Sequence, residues 1–194
     1  MKLVWGIAAL AIATIAIASA PPPNHPQVAS SEAESLQAFA QMLTVMTGPR
    51  CQNCHTLTQY PRQGDDRHPH MFNVQRGPDN HGSPGQQCSV CHGQANNPVS
   101  GVPGANEVWR LAPLSMGWEG LPAGEICRHL KDPARNGNRT GAQVINHLKT
   151  NLVMWAWIPG ADPHGKARTL PPMPYAAFIE AAETWVRSGE NCPP

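Results

Sequence analysis

Apolar positions recur with helical spacing in four stretches of this 194-residue chain, and no stretch shows a convincing strand pattern. The first, "SEAESLQAFAQMLTVMTGP", puts Leu36, Phe39, Ala40, Leu43 and Met46 on one face, opens with a capping box of Ser31 and Glu34, and stops at Gly48-Pro49. Further helices are expected over residues 123–131, around "GEICRHL", and over 141–152, where Thr140 and Gln143 form an opening capping pair. The last spans 175–187 after "PPMP". There Phe178, Ala181, Ala182, Trp185 and Val186 share a face, and Gly189 stands where a C-terminal cap belongs.

Between these helices the pattern fails. Residues 56–87 carry few apolar side chains and many Gly, Pro, Asp and His, so they read as irregular loops with at most a short helical turn. Residues 93–124 form a second loop-rich stretch. Composition agrees, with 21 Pro, 17 Gly and only 6% aromatic residues. The expected fold is mostly α with extensive loops, in which a bound group supplies much of the core. A formal net charge of +1 without any run of Lys or Arg leaves no electrostatic footprint for nucleic acid.

The N-terminus, "MKLVWGIAALAIATIAIASAPPP", has one Lys, an apolar stretch from Leu3 to Ala18 and then small residues, the layout of a bacterial export signal. Cleavage after Ala18 is favoured over Ala20, because the latter places the rigid ring of Pro21 directly behind the scissile bond. Residues 1–18 are thus read as a signal peptide, 19–30 as a polar spacer and 31–194 as the working domain, with a periplasmic location. Within that domain, residues 31–100 form an attachment half and 101–194 a helical half. The competing reading is an uncleaved anchor, the one route to a membrane, since the apolar stretch lies near the lower limit of about 17 residues for spanning a bilayer.

Four of the six cysteines sit in two C-x-x-C-H units, "CQNCH" at 51–55 and "CSVCH" at 88–92. That spacing suits c-type haem attachment: Cys51 and Cys54, or Cys88 and Cys91, add to the vinyl groups of one porphyrin, while His55 or His92 ligates its iron. The cofactor expected is therefore two haem c groups. Two C-x-x-C pairs also hold zinc in some proteins, yet the 33 residues between Cys54 and Cys88 exceed the roughly 15 to 20 usual for a zinc ribbon. Zinc also gives no reason for a His at the same offset twice. A thioredoxin-like redox pair would need a βαβ context that is absent from the pattern.

Cys127 and Cys192 remain, 65 positions apart. In an oxidising compartment they are expected to form a disulfide that ties the C-terminal tail to the helix around "GEICRHL". The alternative is that one of them is a thiolate haem ligand, resembling diheme enzymes of sulfur oxidation.

The ligand on the far side of each iron decides between electron transfer and catalysis, because two strong protein ligands leave no place for substrate. His147 shares a helical face with Val144, Leu148 and Asn151, and His70 in "RHPHMFNV" lies between the two haem units; these are the leading candidates. His68 is a weaker substitute, and His81 and His164 are expected at the surface. Met173, a Met among prolines ahead of an amphipathic helix, resembles the iron-capping Met of class I cytochromes c; Met116 in "APLSMGWEG" is a further alternative. Arg50, Arg62, Arg67 and Arg76 are candidate partners for haem propionates. Trp155 and Trp157 are candidates to line haem edges.

The segments "HMFNVQRG", "CSVCHG", "LAPLSMGWEG" and "ICRHLKDPARNGNRTGAQ", with the closing "CP", resemble small diheme c-type cytochromes of the bacterial periplasm, similar to those named as isoquinoline 1-oxidoreductase subunits. The resemblance implies an electron-transfer protein rather than an enzyme in its own right. It would pass single electrons between an exported dehydrogenase, of the molybdenum hydroxylase kind, and a downstream acceptor. The alternatives are a diheme peroxidase or thiosulfate-oxidising enzyme, and a wiring subunit of a larger cytochrome assembly.

Overall fold

The computed structural model describes Met1 and residues 26–194, with side chains from residue 31 onward. The expected signal peptide, its cleavage after Ala18 or Ala20, and most of the expected spacer lie outside the described residues. Among those residues, no helix is long and apolar enough to cross a membrane. The chain is about 42% helical with few, short strands.

Helix α1 runs Pro26–Met46 and so begins five residues before the expected Ser31 start. A proline opens a helix without loss, since the first N–H has no intrahelical acceptor and the ring presets φ. Glu34 therefore lies inside the helix, where it pairs with Arg187 at 3.8 Å. The buried stripe is Ser35, Ala38, Phe39, Met42, Val45 and Met46, while Ala40, expected on the apolar face, is exposed. This stripe packs along α7, Tyr175–Arg187, whose Phe178, Ala181, Ala182 and Trp185 are buried as their spacing predicts. Ser35, fully buried, donates to the Trp185 carbonyl at 3.4 Å and accepts the Asn191 N–H at 2.8 Å, which joins both termini of the domain. Helix α7 closes as expected: Gly189 takes φ +105°, and the Glu190 N–H returns to the Trp185 carbonyl at 2.9 Å.

Five shorter helices complete the α-helical part among the described residues. Helix α2, Pro49–Gln52, enters the first C-x-x-C-H unit; α3, Ala123–Lys131, runs into α4, Pro133–Asn136, with Asp132 capping the junction through the Ala134 N–H at 2.9 Å. Helix α5, Gly141–Leu148, has the capping box that Thr140 and Gln143 predict, but it ends four residues early. The Thr150 N–H turns back to the His147 carbonyl at 3.1 Å, and Thr150 starts a separate helix α6, Asn151–Met154. Cys127 on α3 is bonded to Cys192 across a Cα separation of 5.5 Å, so neither sulfur is available as a thiolate ligand.

Residues 56–87, expected as loops, also hold two minimal antiparallel hairpins. Strand β1, Arg62–Gln63, pairs with β2, His68–Pro69, and β3, Gly82–Ser83, pairs with β4, Gln86–Gln87. Strands of two residues are too short for an alternating pattern to register.

The apolar core is lopsided. It is built from α1, α3, α5, α7 and the segment around Met116 and Trp118, whereas residues 47–115 add only Ala105 and Leu111 to the buried apolar side chains. The attachment half is thus not independent: α1 belongs to the helical core, and the segment from residue 47 to residue 100 has almost no core of its own.

Because the Cys127–Cys192 bridge closes a long loop around the helical core, the double variant Cys127→Ser, Cys192→Ser is expected to lose about 2–5 kcal/mol of stability. A urea titration would read this as a lower midpoint.

Candidate functional site

Both C-x-x-C-H units fold into the same local turn. In the first, the Cys54 and His55 N–H groups return to the Cys51 carbonyl at 3.2 and 3.0 Å; in the second, those of Cys91 and His92 return to Cys88 at 3.2 and 2.9 Å. One helical turn puts i, i+3 and i+4 on one side, which gathers both thiols and the imidazole of each unit. All four thiols are unbonded. Burial pushes Cys51 up to about 12 and Cys54 up to about 11, with ionised Cys88 the next contributor for Cys54, which places the two units side by side.

Each histidine is held in one tautomer. His55 donates from Nδ1 to the Met116 carbonyl at 2.7 Å, and His92 from Nδ1 to the Pro103 carbonyl at 2.9 Å, which leaves both Nε2 lone pairs free for a metal. In each case a glycine comes directly after the acceptor. A Cβ at Gly104 would lie 2.2 Å from the Ala95 carbonyl oxygen, so only glycine lets that loop approach; one at Gly117 would lie 2.5 Å from Leu57 Cδ2, a contact the exposed Leu57 side chain relieves by turning away. The returning loops also pair with the units through backbone bonds from Trp118 to His55 at 3.0 Å and from Ala105 to Gly93 at 3.1 Å. Burial lowers the pKa of His55 to about 3 and that of His92 to about 4, only partly offset by the carbonyl acceptors, so both rings are neutral at pH 7 and able to ligate.

A tryptophan lies flat against each ring. Trp118 stacks on His55 with centroids 3.6 Å apart at 11°, and Trp109 on His92 at 4.5 Å and 5°. Trp109 then meets Trp155 edge-on at 5.1 Å. Of the two tryptophans singled out by sequence, Trp155 adjoins the second unit through Trp109, whereas Trp157 packs with Tyr175 and Phe178 in the helical core. No periodicity marks Trp109 and Trp118, because they sit in loops.

The distal candidates separate clearly. The His70 ring stands 6.0 Å from that of His92, at 62°. With metal–nitrogen bonds of about 2 Å on either side, two imidazoles sharing a metal have centroids about this far apart. His70 Nδ1 donates to the Met71 carbonyl at 2.8 Å, so its Nε2 is free as well. His147, on the last turn of α5, is an electrostatic neighbour of His55, and burial lowers its own pKa. His70 is thus in ring contact with the second unit, and His147 is near enough to the first for its charge to act on His55. Met116 is buried in the helical core and contributes its carbonyl to His55, while Met173 packs against that core and accepts the Trp157 indole N–H at 2.7 Å. His68 pairs with Asp66 at 2.7 Å and His81 with Asp79 at 3.5 Å. His164 is exposed.

The arginines also divide. Arg50 pairs with Asp65, and Arg62 and Arg67 both pair with Glu119, so three of the four propionate candidates have carboxylate partners in the chain. Arg76 does not. It is 4% exposed and bonds only Asn80 and the carbonyls of Thr56, Thr58 and Ala112, while its Nε has no partner. A buried guanidinium without a counter-charge is costly unless an anion joins it. Arg168, bonded to the carbonyls of Pro159, Ala161 and Gly101, sits comparably near His92.

These observations test the fit of two haem groups. Four free thiols stand beside two neutral imidazoles with free Nε2 atoms, a buried cation lacks an anion, and large apolar side chains in the same half face outward, Phe72 81% exposed and Val90 72% exposed. Among the described residues no three His, Cys, Asp or Glu side chains gather to hold a metal ion. The residues fit haem. Compared with protein-family models, curated proteins and solved structures, the chain matches none.

Glu119 joins the two halves of the first site. Its carboxylate accepts the Leu57 N–H at 2.8 Å and the Thr56 hydroxyl at 2.7 Å, besides Arg62 and Arg67. Burial alone would raise its pKa, but these donors outweigh burial and hold it below the usual range. A lowered folded pKa contributes stability that is present above the unfolded value and lost as pH falls through the folded one. Glu119→Gln should therefore cost about 2 kcal/mol at neutral pH and flatten the acid limb of a stability-against-pH curve.

Proposed function

We propose that the chain is a diheme c-type cytochrome that transfers single electrons. The first haem would be bound by Cys51 and Cys54, with His55 and His147 as iron ligands, and the second by Cys88 and Cys91, with His92 and His70. The observation that carries this reading is the His70 ring 6.0 Å from that of His92, each ring holding its Nδ1–H on a backbone carbonyl and leaving its Nε2 unbonded. When bound, each haem supplies an iron that alternates between ferric and ferrous states.

The chain's own residues do the rest. Backbone carbonyls hold the imidazoles in one tautomer and correctly turned. Two histidines per iron favour transfer over substrate binding, and Arg76 and Arg168 stand where an anionic propionate would relieve their charge. Redox partners dock through small transient interfaces, and the donor implied by the sequence resemblance is an exported dehydrogenase of the molybdenum hydroxylase class. The export signal supports a periplasmic location for this exchange.

Matured in a host that attaches c-type haem, the protein should gain the mass of two haems per chain. Low-temperature electron paramagnetic resonance should then show two low-spin ferric signals. A colourless protein, or one carrying zinc, would sink the proposal. His147→Ala should convert one signal to high spin and leave the other in place.

A further inference from the structure

The hairpin β1–β2 belongs to the first unit by its contacts but serves the second. It is clamped to α2 and the residue after it at both ends: at its open end the Arg62 N–H bonds the Asn53 carbonyl at 3.1 Å, and at its turn the Gly64 carbonyl accepts the Asn53 side chain at 2.9 Å. Asp65 pairs with Arg50, and Arg67 donates to the Gln52 side chain at 2.6 Å and to Glu119. Asp65 also accepts the N–H and hydroxyl of Thr169 at 3.2 and 2.8 Å. At the open end, beside Arg62, the His70 N–H bonds the Pro61 carbonyl at 3.0 Å, and its ring lies 6.0 Å from that of His92.

Support from the second unit is thin. Gln86, ahead of Cys88, donates to the Phe72 carbonyl at 3.0 Å. The turn beyond His70 is strained, with Phe72 at φ +63° and Asn73 at +52°, and the Phe72 side chain is exposed, so its packing does not hold the turn in place.

We propose that the first attachment segment builds the second site: Asp65 and Arg67 are positioning residues that hold the β1–β2 hairpin on α2 and thereby hold His70 opposite His92. This inference rests on the two-haem reading. The dependence runs one way, because His147, the electrostatic neighbour of His55, lies on α5, a capped helix packed on α7. With the turn of the hairpin released from α2, the second iron is expected to lose its distal imidazole and accept a small neutral ligand such as carbon monoxide.

The test is the double variant Asp65→Asn, Arg67→Gln, isolated as the haem-loaded full chain. Haem content should stay at two per chain, one low-spin signal should give way to high spin, and the ferrous protein should bind one equivalent of carbon monoxide where the parent binds none. Adding His70→Ala should change nothing further. The proposal is overturned if the double variant keeps both low-spin signals while His70→Ala alone loses one, or if His70→Ala alone leaves both in place. If the double variant loses haem, Asp65→Asn and Arg67→Gln are read singly by the same signals, with Arg67→Lys expected to restore the low-spin state. Absence of haem from the parent protein would instead refute the functional reading.

Discussion

The hydrogen bond from an imidazole Nδ1 to a backbone carbonyl is made at both units, and much of the attachment half is arranged to make it. For the Met116 and Pro103 carbonyls to reach His55 and His92, two loops must return closely across their units, at Gly104 so closely that no Cβ fits against the Ala95 backbone. Loops held this tightly need anchors, and the anchors are polar. Arg76 joins Thr56 and Thr58 to Ala112, and Glu119 joins Thr56 and Leu57 to Arg62 and Arg67. Fixing the tautomer and fixing the loops are the same structural requirement.

Polar anchors are an expensive way to hold a chain, since buried charges give up their hydration and recover it only through well-placed partners. The attachment half uses them because residues 47–115 have almost no apolar interior. Elsewhere the protein adopts the ordinary solution, with α1 laid on α7, Phe39 against Trp185, and the tail pinned to α3 by Cys127–Cys192. A large apolar prosthetic group in the attachment half would cover the exposed Phe72, Val90 and Val108 and supply the missing interior. On that account the helical part supplies stability that does not depend on the cofactor.

How much of this was legible in the sequence depends on where each signal resides. Helix α7 was readable to its cap, because periodicity, capping and a closing glycine all agree over Tyr175–Arg187. The capping box at Thr140 was readable for the same reason. The start of α1 was not: prolines at 21–23 and 26 look like a spacer, although Pro26 serves well as a first helical residue. The C-x-x-C-H units were visible because their chemistry is local. Met116, Pro103, Trp109, Trp118 and Glu119 were not seen in their present roles, since each acts on a residue distant in sequence or through its backbone, and neither relation leaves a spacing to read.

The two units repeat one design in different surroundings, and the difference bears on how a pair of haems would work. His55 is boxed by the stacked Trp118, buried Arg76 and α5, whereas the second unit has Cys91 and Val90 at the surface and draws His70 from an exposed turn. Electron exchange with another protein favours the cofactor nearest the surface, and a stable potential favours the one best shielded from water. In the proposed carrier, the second site would therefore meet partners and the first would act as the internal reservoir. The Arg50–Asp65 and Arg67–Glu119 ion pairs would then link the reservoir to the ligand that keeps the outer site closed.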